Sequence, residues 1–161
     1  MDLCVLCGTL LELLKKKGET LAVSESCTGG MIASALVGFA GCSEVFHGGT
    51  VVYTNKLKHD LLGVPEDIFS GPGAVSAECI EAMLNGTLAV LQVSCAIAVS
   101  GIAGPGGAVP GKPVGTVFIG AAAGEKKKIV RLALSGSRDE VRTQSACEAV
   151  KLLTDLLQGI Q

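Results

Sequence analysis

Three short polar stretches hold the residues that could do chemistry. The first, Glu25-Ser26-Cys27-Thr28-Gly29-Gly30, sets a serine and a cysteine before a glycine pair where an apolar segment begins. A glycine-rich backbone beneath a helix N-terminus leaves N–H groups bare, and such groups hold a phosphate or the oxyanion of a tetrahedral intermediate. Ser26 then stands beside a candidate anion site formed by Thr28, Gly29 and Gly30; the alternative is an ordinary helix start capped by Thr28. The second stretch is Tyr53-Thr54-Asn55, with Lys56 and Lys58 just beyond it. A lysine serves as a general base only when burial or a neighbouring cation brings its pKa from about 10.4 to roughly 7 or 8. The alternative for Lys58 is a solvated charge near Lys56 and His59, and for Tyr53 a core ring on a strand. The third runs from Ser100 through Gly101 and Gly104 to Pro113. It is too rich in Gly and Pro for helix or strand, so it is a loop whose backbone can approach a ligand closely.

Other patterns lie beside these. Gly106 to Lys112 has the spacing of a P-loop, but Pro113 stands where a magnesium-binding Ser or Thr belongs and a strand follows, which excludes that reading. Arg138 and Arg142 lie four apart and share a helix face, a geometry that clasps a phosphate; the alternative pairs them with Asp139, Glu140 or solvent. Cys27 is a minor second candidate for a nucleophile. Cys4 and Cys7 form a C-x-x-C inside an apolar helical pattern, without a second pair, and read as core packing. His47 and His59 lack metal-site company, so neither metal nor cofactor is expected.

Elements that could position these residues follow from periodicity and caps. Leu3, Leu6, Leu10, Leu13 and Leu14 mark a helix over 3–16, closed by the Lys15-Lys16-Lys17 run and Gly18. A strand over 21–24 delivers the Ser26 turn, and a helix opened by Thr28 runs to about Val37. Gly49 to Thr54 is a strand, and Asn55 caps a short helix stopped by Pro65. Ser76 opens a helix to about Val90, a strand over 95–99 ends at Ser100, and strands over 114–121 and 129–134 pair antiparallel. Ser137 with Glu140 is a capping box for a last helix reaching about Leu157. This order predicts one α/β domain over 1–161, a three-layer α/β/α sandwich with a mixed, mostly parallel sheet. In such folds ligands collect at the carboxyl ends of strands.

Composition narrows the function. The 161 residues suit one domain. Of these, 48% are hydrophobic, yet no apolar run reaches the roughly 20 residues of a membrane span. The early lysines follow the apolar segment, the reverse of a secretory signal, so export is not expected. Seven scattered cysteines suit free thiols in a reducing cytoplasm. A net charge of -2, with one Tyr, four Phe and no Trp, argues against nucleic acid, so that any nucleotide bound is expected to be small. So hydrophobic a composition leaves apolar surface that a homo-oligomer would cover.

ESCTGG at 25–30, FHGGTVVYTNKLKHDLLGV at 46–64, GAVS at 73–76, SGIAGPGG at 100–107, KPVGTV at 112–117 and GSRDEVR at 136–142 together resemble the CinA C-terminal domain family. The resemblance implies a nicotinamide-nucleotide amidase, which hydrolyses the carboxamide of nicotinamide mononucleotide to nicotinic acid mononucleotide and ammonia. It implies Ser26 as nucleophile and Lys58, rather than Lys56, as base, with Tyr53 positioning or relaying the proton. Backbone N–H groups near Thr28, Gly29 and Gly30, or at the start of the Ser100–Gly101–Gly104 loop, would hold the oxyanion. Arg138, Arg142 and that loop would address the ribose phosphate, without metal or cofactor. The family's domain occurs alone or behind a larger N-terminal domain, for which this length leaves no room. A non-catalytic pyridine-nucleotide-binding or regulatory module is the rival from another class, and hydrolysis by a Cys27 thiolate is a third reading.

Overall fold

In the computed structural model, residues 2–160 are described, and their order is helix, strand, helix, then alternating elements ending in a hairpin and a long helix. Helix α1 (Leu3–Lys17) starts at Asp2, whose side chain accepts from Cys4 N, and ends at Gly18 in the left-handed region, φ 69°. Strand β1 (Leu21–Glu25) leads to α2 (Met31–Val37), and β2 (Phe46–Val51) to α3 (Asn55–Leu62). A short α4 (Glu66–Ser70) and α5 (Ala77–Leu91) precede β3 (Cys95–Gly101); β4 (Thr116–Ala123), β5 (Lys126–Ala133) and α6 (Arg138–Gln158) complete the chain.

The five strands lie in the order β2-β1-β3-β4-β5. β1 pairs parallel with both β2 and β3, whereas β3–β4 and β4–β5 are antiparallel, giving the expected mixed sheet. Residues alternate between faces along each strand, so the sheet builds two cores. Leu21, Val23, Ile97 and Val99 join α1, α2 and α6 in one; Ala96, Ala98 and Ala122 join α3 and α5 in the other. These are the three layers that the order of elements implied. Among the described residues, no helix is long and apolar enough to cross a membrane.

Most cap expectations hold. Ser76 accepts from Cys79 N, and the Ser137–Glu140 capping box is complete. Two are corrected. Thr54, not Asn55, caps α3 through Leu57 N, because Asn55 already lies inside the first turn. Thr28 does not cap α2: the N-cap is Gly30 at φ 95°, a backbone conformation a threonine adopts only with strain. Of the C-x-x-C cysteines, Cys7 is buried as expected, while Cys4 faces solvent. Among the described residues, no two cysteines are joined by a disulfide.

α3 is seated through one close approach. Gly86 of α5 is buried, and a Cβ there would land on the Leu62 carbonyl at the end of α3. Overpacking against backbone costs about 1–3 kcal/mol, and the helix propensity gained by alanine returns only about 1 kcal/mol. Gly86→Ala is therefore expected to lower stability by up to about 2 kcal/mol in urea denaturation; a raised midpoint would contradict this packing.

Candidate active site

Register brings the polar turns together. Glu25 of β1 is level with Val51 of β2 on one side and Val99 of β3 on the other. β1 and β2 therefore leave the sheet at the same height, at Ser26 and Val52, while β3 runs on through Ser100 to Gly101 against β4. Two further hydrogen bonds extend the ladder into the turns: Ser26 N to Val99 O, 3.0 Å, and Val52 N to Glu25 O, 2.9 Å.

Lys58 reaches this point from α3. It shares a face with Leu62 and is 1% exposed, whereas Lys56 points to solvent and pairs with Asp60. The geometry thus separates the two lysines. Lys58 Nζ lies 3.0 Å from Ser26 Oγ, 2.9 Å from Val52 O and 3.3 Å from Tyr53 O. No carboxylate pairs with it among the described residues. Burial pushes its pKa below the usual 10.5, opposed by the nearby Cys79 and Cys27 thiols. A neutral amine has two N–H groups and one lone pair. With Val52 O and Tyr53 O accepting the two N–H groups, the lone pair faces the Ser26 hydroxyl, which is the arrangement a general base requires.

The turn after Ser26 is held from both sides. The Glu25 carboxylate, 1% exposed, accepts from Gly30 N at 3.1 Å, Ile32 N at 3.2 Å and Ala33 N at 2.9 Å. Gly29 N donates to Ser26 O at 3.1 Å. The glycine N–H groups that sequence pattern offered to an anion are therefore already engaged, and the Thr28 hydroxyl is buried without a partner. Among the described residues, Cys27 N and Thr28 N have no oxygen acceptor, and these are the donors the turn leaves beside the nucleophile. The Cys27 thiol is itself pushed up to about 11, chiefly by burial.

Arg142 and Arg138 divide their work. Arg142 donates to Cys27 O at 3.0 Å and Thr28 O at 3.2 Å and pairs with Asp139, so it braces the turn. Arg138 is exposed; it donates to Gly104 O at 2.7 Å and to the Tyr53 hydroxyl at 3.2 Å, with no carboxylate partner among the described residues. It joins the second and third polar stretches. Tyr53 is 59% exposed, not a core ring; its carbonyl, rather than its hydroxyl, touches Lys58. Ser100 is buried and donates to Ala74 O at 2.8 Å, tying its loop to the turn before α5. Gly101 and Gly104 lie against Val117 and Val114, where a Cβ would clash. Sequence pattern quoted Glu25 without a role and missed the carbonyls of Val52 and Tyr53. An acidic residue ahead of a helix start was the available signal for Glu25; backbone acceptors carry none.

Cavities of about 420 Å³, beside Lys56, His59 and Phe69, and about 450 Å³, beside Glu140 and Gln144, lie on outer helix faces away from Ser26. Chemistry here is defined by the converging turns. The depressed Lys58 pKa gives one test with a definite sign. Between its folded value and 10.5 the unfolded chain binds the extra proton, so stability rises with pH through that window. Urea midpoints of wild type and Lys58→Met are expected to diverge in favour of wild type as pH climbs from neutral towards 10; a difference that stays constant would contradict the shift.

Comparison with known proteins places the chain in a family. The profile of the CinA C-terminal domain family matches residues 5–157. A CinA-like protein of Thermotoga neapolitana is 46% identical over 144 residues, 89% of this chain and 35% of its own length. A CinA-like protein of Myxococcus xanthus is 44% identical over 147 residues, 91% of this chain and 35% of its own length. The chain thus spans about a third of the length of these curated relatives. The crystal structure of a competence-damaged protein (CinA) superfamily protein from Klebsiella pneumoniae superposes with a TM-score of 0.95 at 30% identity, covering 99% of both chains. That of the competence/damage inducible protein CihA from Agrobacterium tumefaciens does so with a TM-score of 0.93 at 35% identity, covering 98% of this chain and 96% of the other. The chain belongs to the CinA C-terminal domain family.

Proposed function

We propose that this chain is a nicotinamide-nucleotide amidase, which hydrolyses the carboxamide of nicotinamide mononucleotide to nicotinic acid mononucleotide and ammonia. One observation carries the reading: a buried lysine amine without a carboxylate partner, 3.0 Å from a serine hydroxyl. Such an amine favours its neutral form and can take the serine proton. Ser26 Oγ attacks the amide carbon as its proton passes to Lys58. The oxyanion settles against the Cys27 and Thr28 N–H groups, and one such donor is typically worth about 3 kcal/mol. Collapse of the intermediate breaks the C–N bond, and the Lys58 ammonium returns the proton to the leaving ammonia. Water then attacks the acyl-enzyme, giving its proton to Lys58 and releasing the acid as Ser26 recovers its hydrogen.

Arg138, exposed and joined only to neutral groups, is the cation for the ribose phosphate; Arg142 serves the turn. Cys27 does not suit the nucleophile's part, since a thiol near 11 supplies little thiolate at neutral pH. Cysteines without disulfides among the described residues accord with a cytoplasmic enzyme. Exposed Val51, Tyr53, Leu57 and Leu61, close to the unpaired edge of β2, support a homo-oligomer; sedimentation at monomer mass would overturn it.

Ammonia release from nicotinamide mononucleotide, with EDTA present, tests the central claim. Wild type should release it, Ser26→Ala and Lys58→Ala should be slower by more than about a thousandfold, and Cys27→Ser should keep most of the activity. Arg138→Ala should raise KM about 10- to 100-fold, the loss of one charge-assisted contact. Tight binding of the nucleotide by a folded wild type without ammonia release would replace the amidase with a non-catalytic binding module.

A further inference from the structure

The carboxylate of Glu25 occupies a position that ordinary helix capping does not require. It is the residue directly before Ser26, it is almost wholly buried, and both of its oxygens are used on three N–H groups of the turn and first residues of α2. The side chain thereby closes the segment 25–30 into a ring with Ser26 on it. Three further bonds fix the same segment: Ser26 N to Val99 O, and the Arg142 guanidinium to Cys27 O and Thr28 O. Every backbone group that could compete for an anion at the α2 N-terminus is thus drawn inward. Among the described residues, the Cys27 and Thr28 N–H groups of this turn have no oxygen acceptor, the Cys27 N–H lying against its own thiol.

We propose that Glu25 is a positioning residue for the reaction: by holding the N–H groups of Gly30, Ile32 and Ala33 it sets Ser26 Oγ against Lys58 and turns the Cys27 and Thr28 donors toward the oxyanion. It touches no substrate. It acts through the turn, which is clamped between a carboxylate on its donors and a guanidinium on its acceptors. A glutamine cannot replace it. An amide has one oxygen for three N–H groups, and its own NH2 would face at least one of them. A shift of the nucleophile by about 1 Å is enough to cost on the order of a hundredfold in rate.

The inference rests on Ser26 being the activated nucleophile of the proposed function, but not on the identity of the amide. Its test therefore uses a fluorophosphonate probe, which phosphonylates an activated serine hydroxyl with loss of fluoride and needs no nicotinamide recognition. Wild type, Glu25→Gln and Glu25→Asp are compared for labelling rate at Ser26 across pH, alongside kcat and KM for the mononucleotide. Labelling and kcat are expected to fall about 10- to 100-fold in Glu25→Gln, with KM within about threefold of wild type. The pH at which labelling rises, set by Lys58, should not move, because the base itself is untouched. Glu25→Asp keeps the charge one methylene short and should lie between the two. A folded Glu25→Gln that labels at the wild-type rate overturns the proposal, as does a shifted pH limb, which would mean that Glu25 acts on Lys58 by charge. Should Glu25→Gln fail to fold, wild-type labelling in a folded Glu25→Asp overturns it equally. Wild-type labelling without mononucleotide hydrolysis sinks the substrate assignment while leaving the role of Glu25 standing.

Discussion

The burial of the Lys58 amine between two carbonyls and the Ser26 hydroxyl is the interaction around which the rest of the structure is arranged. A charge removed from water without a partner is costly, so the site favours the neutral amine. That condition demands a helix that turns a lysine inward. α3 meets it by burying Lys58 and Leu62 one turn apart while Lys56 stays outside with Asp60. The helix can sit so close only because Gly86 of α5 offers no Cβ to the Leu62 carbonyl. The acceptors come from the chain leaving β2, at the height where β1 delivers Ser26.

Electrostatic division of labour explains the polar residues around this pair. Glu25 neutralises the donors at the start of α2, and Arg142 takes the carbonyls of the turn. Each spends its charge on backbone and on local partners. Arg138 also meets a backbone carbonyl, and a phenol, but unlike Arg142 it has no carboxylate partner among the described residues, so its charge remains available at the edge of the site. Two arginines four apart on one helix therefore do different work, because the first reaches across to the loops and the second folds back on the turn.

The likeness to CinA superfamily structures extends over nearly the whole chain and covers the order of elements and their layers. Fold alone does not settle chemistry, since one scaffold carries many activities. The distance and burial of the Ser26–Lys58 pair, beyond the fold, support the proposed amidase. Beside the site, β1 is buried at every residue and β3 at all but its last, which gives the pair rigid support, while β2 forms the edge of the sheet.

Much was legible in the amino-acid order because it depends on local physics. Periodicity and caps located α1, α5 and α6 and the β4–β5 hairpin, and the glycine and proline content of 101–113 marked a loop. The boundaries of β2, the short α4 and the caps of α2 and α3 were not, since each depends on which residue's backbone meets a neighbour. By itself the sequence determined the layers, the nucleophile candidate and two competing lysines. Only the tertiary structure decided that Lys58 is the buried one, that Glu25 has taken the donors of Gly30 and α2, and that Tyr53 meets Lys58 through its carbonyl. Those outcomes turn on strand register and on solvent exclusion, which are properties of distant segments in contact and leave no mark in the spacing of any single stretch.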